Sequence, residues 1–281
     1  MMKTLVIHPD DPTNNFLREA YKDNGYTVLH DKIEDSLLRE MIADHERIIM
    51  LGHGTPHGLM GWHGFAINPT HAELLRTKQC FIVWCNADRY VHAHDIKGFY
   101  TGMIISEVGE AMYVLDGEAK KNGANKENVD ESNQYFVDAL GEAIAEEDRK
   151  ALENFQEHYR NDAKDNEVMQ YNIPRLYYRD EIDPNDLMHK LIKFSPKQSK
   201  DLVYAIPIYN NHTEEKWLTV RTTLTPEHTL TGTVTKHDND VITVEANDLD
   251  AVFEITEEEF DVEAVVIARH QFGGDYYNFM N

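Results

Sequence analysis

Arg47-Ile48-Ile49-Met50-Leu51-Gly52-His53-Gly54 and Cys80-Phe81-Ile82-Val83-Trp84-Cys85-Asn86-Ala87-Asp88 decide how this chain of 281 residues is read. Each opens on a short apolar, β-prone run without polar alternation, the pattern of a strand covered on both faces of a parallel sheet. Each also ends on a reactive side chain, His53 in one and Cys85 in the other, 32 residues apart. In open parallel sheets the crevice beyond the carboxyl ends of the strands is where ligands bind. Right-handed crossovers predict that the strands ending at Leu51 and Trp84 lie side by side, so that His53 and Cys85 share one cleft. A thiol beside an imidazole can ionise near neutral pH, and the imidazole can later protonate a leaving amine. The glycine at 54 lets a backbone N–H come close to a developing oxyanion.

Outward from these two strands the pattern is βαβ. Lys3 to Ile7 reads as a strand, Thr13 to Asn24 as a helix with Phe16, Leu17, Ala20 and Tyr21 on one stripe, and Tyr26 to Leu29 as a second strand. Ser36 to His45 and Pro69 to Lys78 read as helices. Phe99 to Ile105 and Asn172 to Tyr178 are a fifth and sixth strand, with a helix at Glu107 to Leu115, a polar loop at Asp116 to Glu131 and a long helix from Ser132 to about Arg160. Residues 1–180 are therefore expected to form a three-layer α/β sandwich on a mainly parallel sheet. Residues 181–200 read as a polar linker. Residues 201–281 read as a small β-rich accessory domain, because Leu218 to Thr223, Leu230 to Thr235, Val241 to Glu245 and Val262 to Ala268 are rich in Thr, Val and Ile. Asn210-Asn211 and Asp238-Asn239-Asp240 supply turn tips.

With the motifs Leu51-Gly52-His53-Gly54, followed by Gly58 and Gly61, and Phe81-Ile82-Val83-Trp84-Cys85-Asn86, the first 180 residues resemble the caspase-like cysteine peptidases. That clan also contains legumains, gingipains, separases and metacaspases. The shared feature is a strand ending in His-Gly, a Gly-containing hairpin, and a strand ending in the nucleophilic Cys. The resemblance implies Cys85 as nucleophile, His53 as general base and acid, and the backbone amides of Gly54 and Cys85 as oxyanion hole. It implies a peptide or protein substrate and no cofactor. Val83 and Trp84 stand where family members often carry a polar or acidic pocket residue, so neither an aspartate nor an arginine preference carries over. A second expectation on the same fold is a catalytically silent binding or regulatory module.

Asp88, three residues after Cys85, is the nearest carboxylate by sequence that could receive a Lys or Arg of the substrate; a turn or helix cap is its plainer role. Cys80, at the other end of the strand, reads as structural, and His57 is the alternative base. His8-Pro9-Asp10-Asp11 after the first strand is similar to the motif of zinc-dependent deacetylases of acetylated amino-sugars. That resemblance implies His8 and Asp11 as metal ligands and Asp10 as base, with His63 or the His92-Ala93-His94-Asp95 group able to add a ligand. Pro12 departs from the motif, and capping of the first helix by Asp10, Asp11 or Thr13 explains the acids without a metal.

Apolar residues make up 41% and charged residues 27%, which excludes collagen-like and low-complexity classes. The net charge of −23 repels nucleic-acid phosphates and anionic headgroups and favours basic peptides, so neither nucleic acid nor membrane is an expected partner. The start, Met1 to Asp11, holds too short an apolar run for a signal peptide, and two cysteines five apart beside one strand are poorly placed to pair. Both features lead to the expectation of a cytoplasmic protein.

Overall fold

A computed structural model of the chain describes residues 2–61, 64–145, 153, 155–157, 159–160, 163, 165–181, 187–208, 216–238, 241–246, 251–256 and 258–264. Its contacts divide the chain into two units, Met1–Ile182 and Asp183–Asn281.

The first unit is mixed α/β around a six-stranded sheet. Its strands are β1 (Thr4–Ile7), β2 (Thr27–Leu29), β3 (Arg47–Leu51), β7 (Gln79–Val83), β8 (Gly98–Thr101) and β9 (Leu176–Arg179), in the spatial order β2-β1-β3-β7-β8-β9. Neighbours run parallel until β9, which is antiparallel to β8. Three short strands, β4 (Gly54–Thr55), β5 (Gly58–Gly61) and β6 (Gly64–Phe65), form an antiparallel ladder between β3 and β7 in the chain. Leu51 pairs with Val83, so β3 and β7 are adjacent, parallel and level at their carboxyl ends.

Alternation along the strands feeds two apolar clusters. Val6, Ile49, Leu51, Phe81, Val83 and Phe99 join Phe136, Leu140 and Ile144 of helix α6 (Lys126–Ala145). Leu5, Ile7, Ile48, Met50, Cys80 and Ile82 join Leu38 and Ile42 of α1 (Asp35–Asp44), Leu75 of α2 (Ala72–Leu75), and Tyr90 of α3 (Ala87–Ala93). Both faces of the sheet are therefore covered, which explains the unbroken apolar runs, and each buried aliphatic side chain contributes about 1.5–3 kcal/mol. Among the described residues no helix is long and apolar enough to cross a membrane.

Several elements differ from the sequence reading. The first helix is a 3-10 turn over Asn15–Ala20 rather than an α-helix from Thr13 to Asn24. The segment read as the helix Pro69 to Lys78 is a 3-10 turn over Pro69–His71 followed by α2 alone. The fifth strand stops at Thr101, and Ile173–Arg175 is a 3-10 turn before β9. Helix α4 (Val108–Val114) lies where expected, but the polar stretch after it holds α5 (Gly117–Gly123) and the first turn of α6 instead of a loop. Asn122, Asn125 and Asn128 knit those helix ends together through Asn122 O and Asn125 Oδ1, so polar residues build structure there. Helix α7 (Glu167–Asn172) precedes β9.

The second unit is β-rich. Strands β10 (Leu191–Pro196), β13 (Leu230–Asp238), β14 (Val241–Ala246), β15 (Ala251–Thr256) and β16 (Phe260–Ala264) form one antiparallel sheet in the order β15-β14-β13-β10-β16, and β11 (Lys200–Ile208) pairs with β12 (Lys216–Leu224). The linker expected at 181–200 is thereby corrected: β10 is an interior strand, with Ile192 and Phe194 in the core. Their period-two placement outweighs the lysines, serine and prolines around them. Residues 146–152, 209–215, 239–240 and 265–281, on which part of the expected long helix, the Asn210-Asn211 tip and most of the Asp238-Asn239-Asp240 tip fall, lie outside the described residues.

Candidate active site

The ends of β3 and β7 are built differently. After Leu51 the chain turns through Gly52, whose φ of +141° is accessible to glycine, into His53 and the β4–β6 ladder. Gly54 is held against Trp84: a Cβ at 54 would lie 2.2 Å from Cδ1 of the indole. Trp84 is fixed in turn by its Nε1, which donates to Thr55 O at 3.2 Å, and by its carbonyl, which accepts from Thr101 Oγ1 at 2.9 Å. After Val83 the chain passes Cys85 and turns at Asn86, in the left-handed region with φ of +65°, before entering α3. Asparagine tolerates that conformation better than most residues, so Cys85 sits on a tight strand-to-helix corner.

His53, Gly54 and Cys85 line one cleft of about 480 Å³ together with Asp10, Asp11, Asn14, Met60 and Glu110. A smaller cavity of about 20 Å³ is also lined by His53, Cys85 and Asn14. The shared cleft expected from strand order is thus present.

His53 has its orientation set by partners that the sequence did not reveal. Its Nε2 lies 2.5 Å from Thr13 Oγ1 and 3.5 Å from Glu107 Oε1. The Thr13 hydroxyl has one proton, which goes to Asp11 Oδ1 at 2.9 Å, so Thr13 Oγ1 accepts from Nε2–H. Nδ1 is left as the basic nitrogen, and nothing among the described residues bonds to it. Asp11 also accepts from the Thr13 backbone N–H at 2.9 Å, and these bonds from Thr13 hold its carboxyl below the usual carboxylate range. Thr13 and Glu107 therefore orient the imidazole as a third group orients the base of a nucleophile–base pair.

Cys85 is half-buried, and its Sγ lies 3.4 Å from Ile104 O and 3.7 Å from Glu110 Oε1. Burial and then the Glu110 carboxylate push its thiol up to about 12, so the resting group is a neutral thiol. Glu110 is held by Ser106 and Glu107 backbone N–H groups donating to Oε2 at 2.7 and 3.1 Å, as the third residue of α4 in a capping box with the N-cap residue Glu107. Cys80 is fully buried, donates towards Leu75 O at 3.5 Å and is likewise pushed up to about 12 by burial, in keeping with a structural role.

Other sequence candidates fall elsewhere. Asp88 is in the first turn of α3 and lines neither cavity around Cys85; the carboxylates that do are Asp10, Asp11 and Glu110. His57 belongs to the β4–β5 turn and lines neither cavity. The metal reading loses its geometry. His8 is buried, with Nδ1 2.8 Å from the Tyr21 hydroxyl and Nε2 2.9 Å from Asn14 Oδ1, while Asp10 pairs with Arg18 and Asp11 with Thr13. Among the described residues no three His, Cys, Asp or Glu side chains converge; His63 lies outside them, and His92 and His94 turn to Tyr100 and Tyr90. Asp11 accepts from Thr13 ahead of the 3-10 turn, but that turn has no side-chain cap and its N-cap position is Asn14, so the capping expected of Asp10, Asp11 or Thr13 is not found.

No protein-family model, no curated protein sequence and no solved structure matches this chain.

Proposed function

We propose that the first unit is a caspase-like cysteine peptidase, a three-layer α/β sandwich that hydrolyses peptide bonds with Cys85 as nucleophile and His53 as base. One observation carries the reading: His53, Gly54 and Cys85, from the carboxyl ends of two adjacent parallel strands, line the same cleft. The His-Gly strand end, the glycine-bearing ladder and the Cys strand end also follow one another as the resemblance implies.

In this mechanism a peptide carbonyl enters the cleft and the thiol proton of Cys85 passes to His53 Nδ1, whose lone pair is unoccupied. Sγ attacks the carbonyl carbon, and the oxyanion is met by the backbone N–H groups of Gly54 and Cys85. The imidazolium then returns its proton to the leaving amine, giving a thioester. Water, deprotonated by His53, hydrolyses the thioester and restores the thiol. The carboxylates of Asp10, Asp11 and Glu110 along the cleft favour basic substrate residues.

Cys85→Ala should abolish peptide hydrolysis and active-site alkylation, while Cys80→Ala should keep both and cost about 1 kcal/mol of stability from the lost sulfur. Equal loss in both variants would point to packing. Activity abolished by a chelator and untouched by an alkylating agent would overturn the thiol mechanism. A second reading, a catalytically silent module acting in the cytoplasm by binding, is favoured by the neutral thiol beside Glu110. A folded wild-type protein that hydrolyses no member of a mixed peptide library would establish it.

A further inference from the structure

Asn14 is 5% exposed and stands at the start of the 3-10 turn without capping it. Its side chain serves a different connection. Oδ1 lies 2.9 Å from Nε2 of His8, whose Nδ1 lies 2.8 Å from the Tyr21 hydroxyl. His8 is wholly buried, and burial lowers its basicity to about 4, so the ring is neutral with a single N–H. An amide oxygen can only accept, so that N–H is on Nε2 and the Tyr21 hydroxyl donates to Nδ1. With Oδ1 turned to His8, the relay Tyr21 to His8 to Asn14 is saturated and the other end of the Asn14 amide is left for the cleft.

The other end is Nδ2, a donor of two N–H bonds. It lies 3.3 Å from where a Cβ on Gly52 would stand, next to the strand end that carries His53. No group among the described residues accepts from it, and Asn14 lines both cavities that His53 and Cys85 line. Nδ2 is thus a donor that faces the cleft and is open to an oxygen of a bound ligand. We infer that Asn14 is a substrate-binding residue of this cleft, its Nδ2 donating a hydrogen bond to a carbonyl oxygen of the bound peptide, with His8 and Tyr21 as positioning residues that hold the amide in that sense. The identity of the ligand as a peptide rests on the peptidase reading; the recognition of a carbonyl oxygen beside Cys85 does not.

The test compares two thiol reagents on Cys85 in a Cys80→Ala background. Iodoacetamide carries a carbonyl oxygen and 2,2′-dithiodipyridine does not. Asn14→Asp keeps an acceptor for His8 and removes the N–H donor, and Asn14→Ser is the second variant; thermal unfolding reports whether each is folded. The rate with iodoacetamide, divided by the rate with dithiodipyridine, is expected to fall about tenfold in both variants, the loss of one hydrogen bond to a neutral oxygen. The added carboxylate of Asn14→Asp changes thiolate formation for both reagents alike, so the quotient removes it. A quotient unchanged in a folded variant overturns the inference, and if Asn14→Asp does not fold, the quotient for Asn14→Ser decides. A quotient that falls while the wild type hydrolyses no peptide keeps the carbonyl site and removes the peptidase; hydrolysis with an unchanged quotient does the reverse.

Discussion

Cys85 and Glu110 set the resting state of the site between them. A carboxylate 3.7 Å from a half-buried sulfur opposes ionisation, because the thiolate would meet a like charge in a medium that screens poorly. Glu110→Gln keeps the oxygen that caps α4 and removes the charge. Alkylation of Cys85 should then run roughly tenfold faster at a fixed pH below its titration, and the rate profile should move to lower pH. The sign follows from the thiolate being the reactive form: removing a neighbouring anion lowers the thiol's pKa and enlarges the reactive fraction. A profile that stays in place would show that burial alone, the larger cause, holds the thiol neutral. At this scale the sequence was legible where chemistry coincides with a strand end, as at His53 and Cys85. Thr13, Asn14, Glu107 and Glu110 were not, since they reach the cleft through the fold: Thr13 meets His53 across 40 residues and Glu110 meets Cys85 across 25. The Glu107 and Glu110 capping pair at the start of α4 was the one local sign of them.

Elements were legible in proportion to how continuous their burial is. Strands β1, β3 and β7 are apolar and buried after their first residue and were read nearly to the residue. The 3-10 turn, α5 and β10 were misread because local pattern competes there with Pro12, with a polar seven-residue helix, and with flanking lysines and prolines. Gly54 shows how an element carries the site. Its lack of a side chain lets the β4 strand lie on Trp84, and the same closeness keeps residue 54 at the cleft. Gly54→Ala must displace either the hairpin or the indole, so it should lower stability by about 1–3 kcal/mol, read as a urea midpoint shift, and lower peptide hydrolysis more than that loss explains. A stable, fully active Gly54→Ala protein would remove this glycine from both roles.

Over the whole molecule the dominant quantity is charge. A net charge of −23 raises the local concentration of cations around the protein and repels anions, and it acts on encounter more than on the bound complex. Asp10, Asp11 and Glu110 carry the same sign into the cleft, although Asp10 already pairs with Arg18 and Asp11 with Thr13, so neither is an open carboxylate waiting for a lysine. The field and the cleft therefore point the same way, with the field reaching further. Peptides with Lys or Arg beside the cleaved bond should show kcat/KM above those with Asp or Glu at low ionic strength. The gap should narrow as salt rises, since the screening length is about 10 Å at 0.1 M and about 3 Å at 1 M. Most of the narrowing should come from slower association of the basic peptides, because contacts inside a cleft are screened less than those at the surface. A preference for basic peptides that persists unchanged in 1 M salt would place the selection in the cleft carboxylates. A preference for acidic peptides would show that backbone and apolar contacts around Met60 decide specificity against the field.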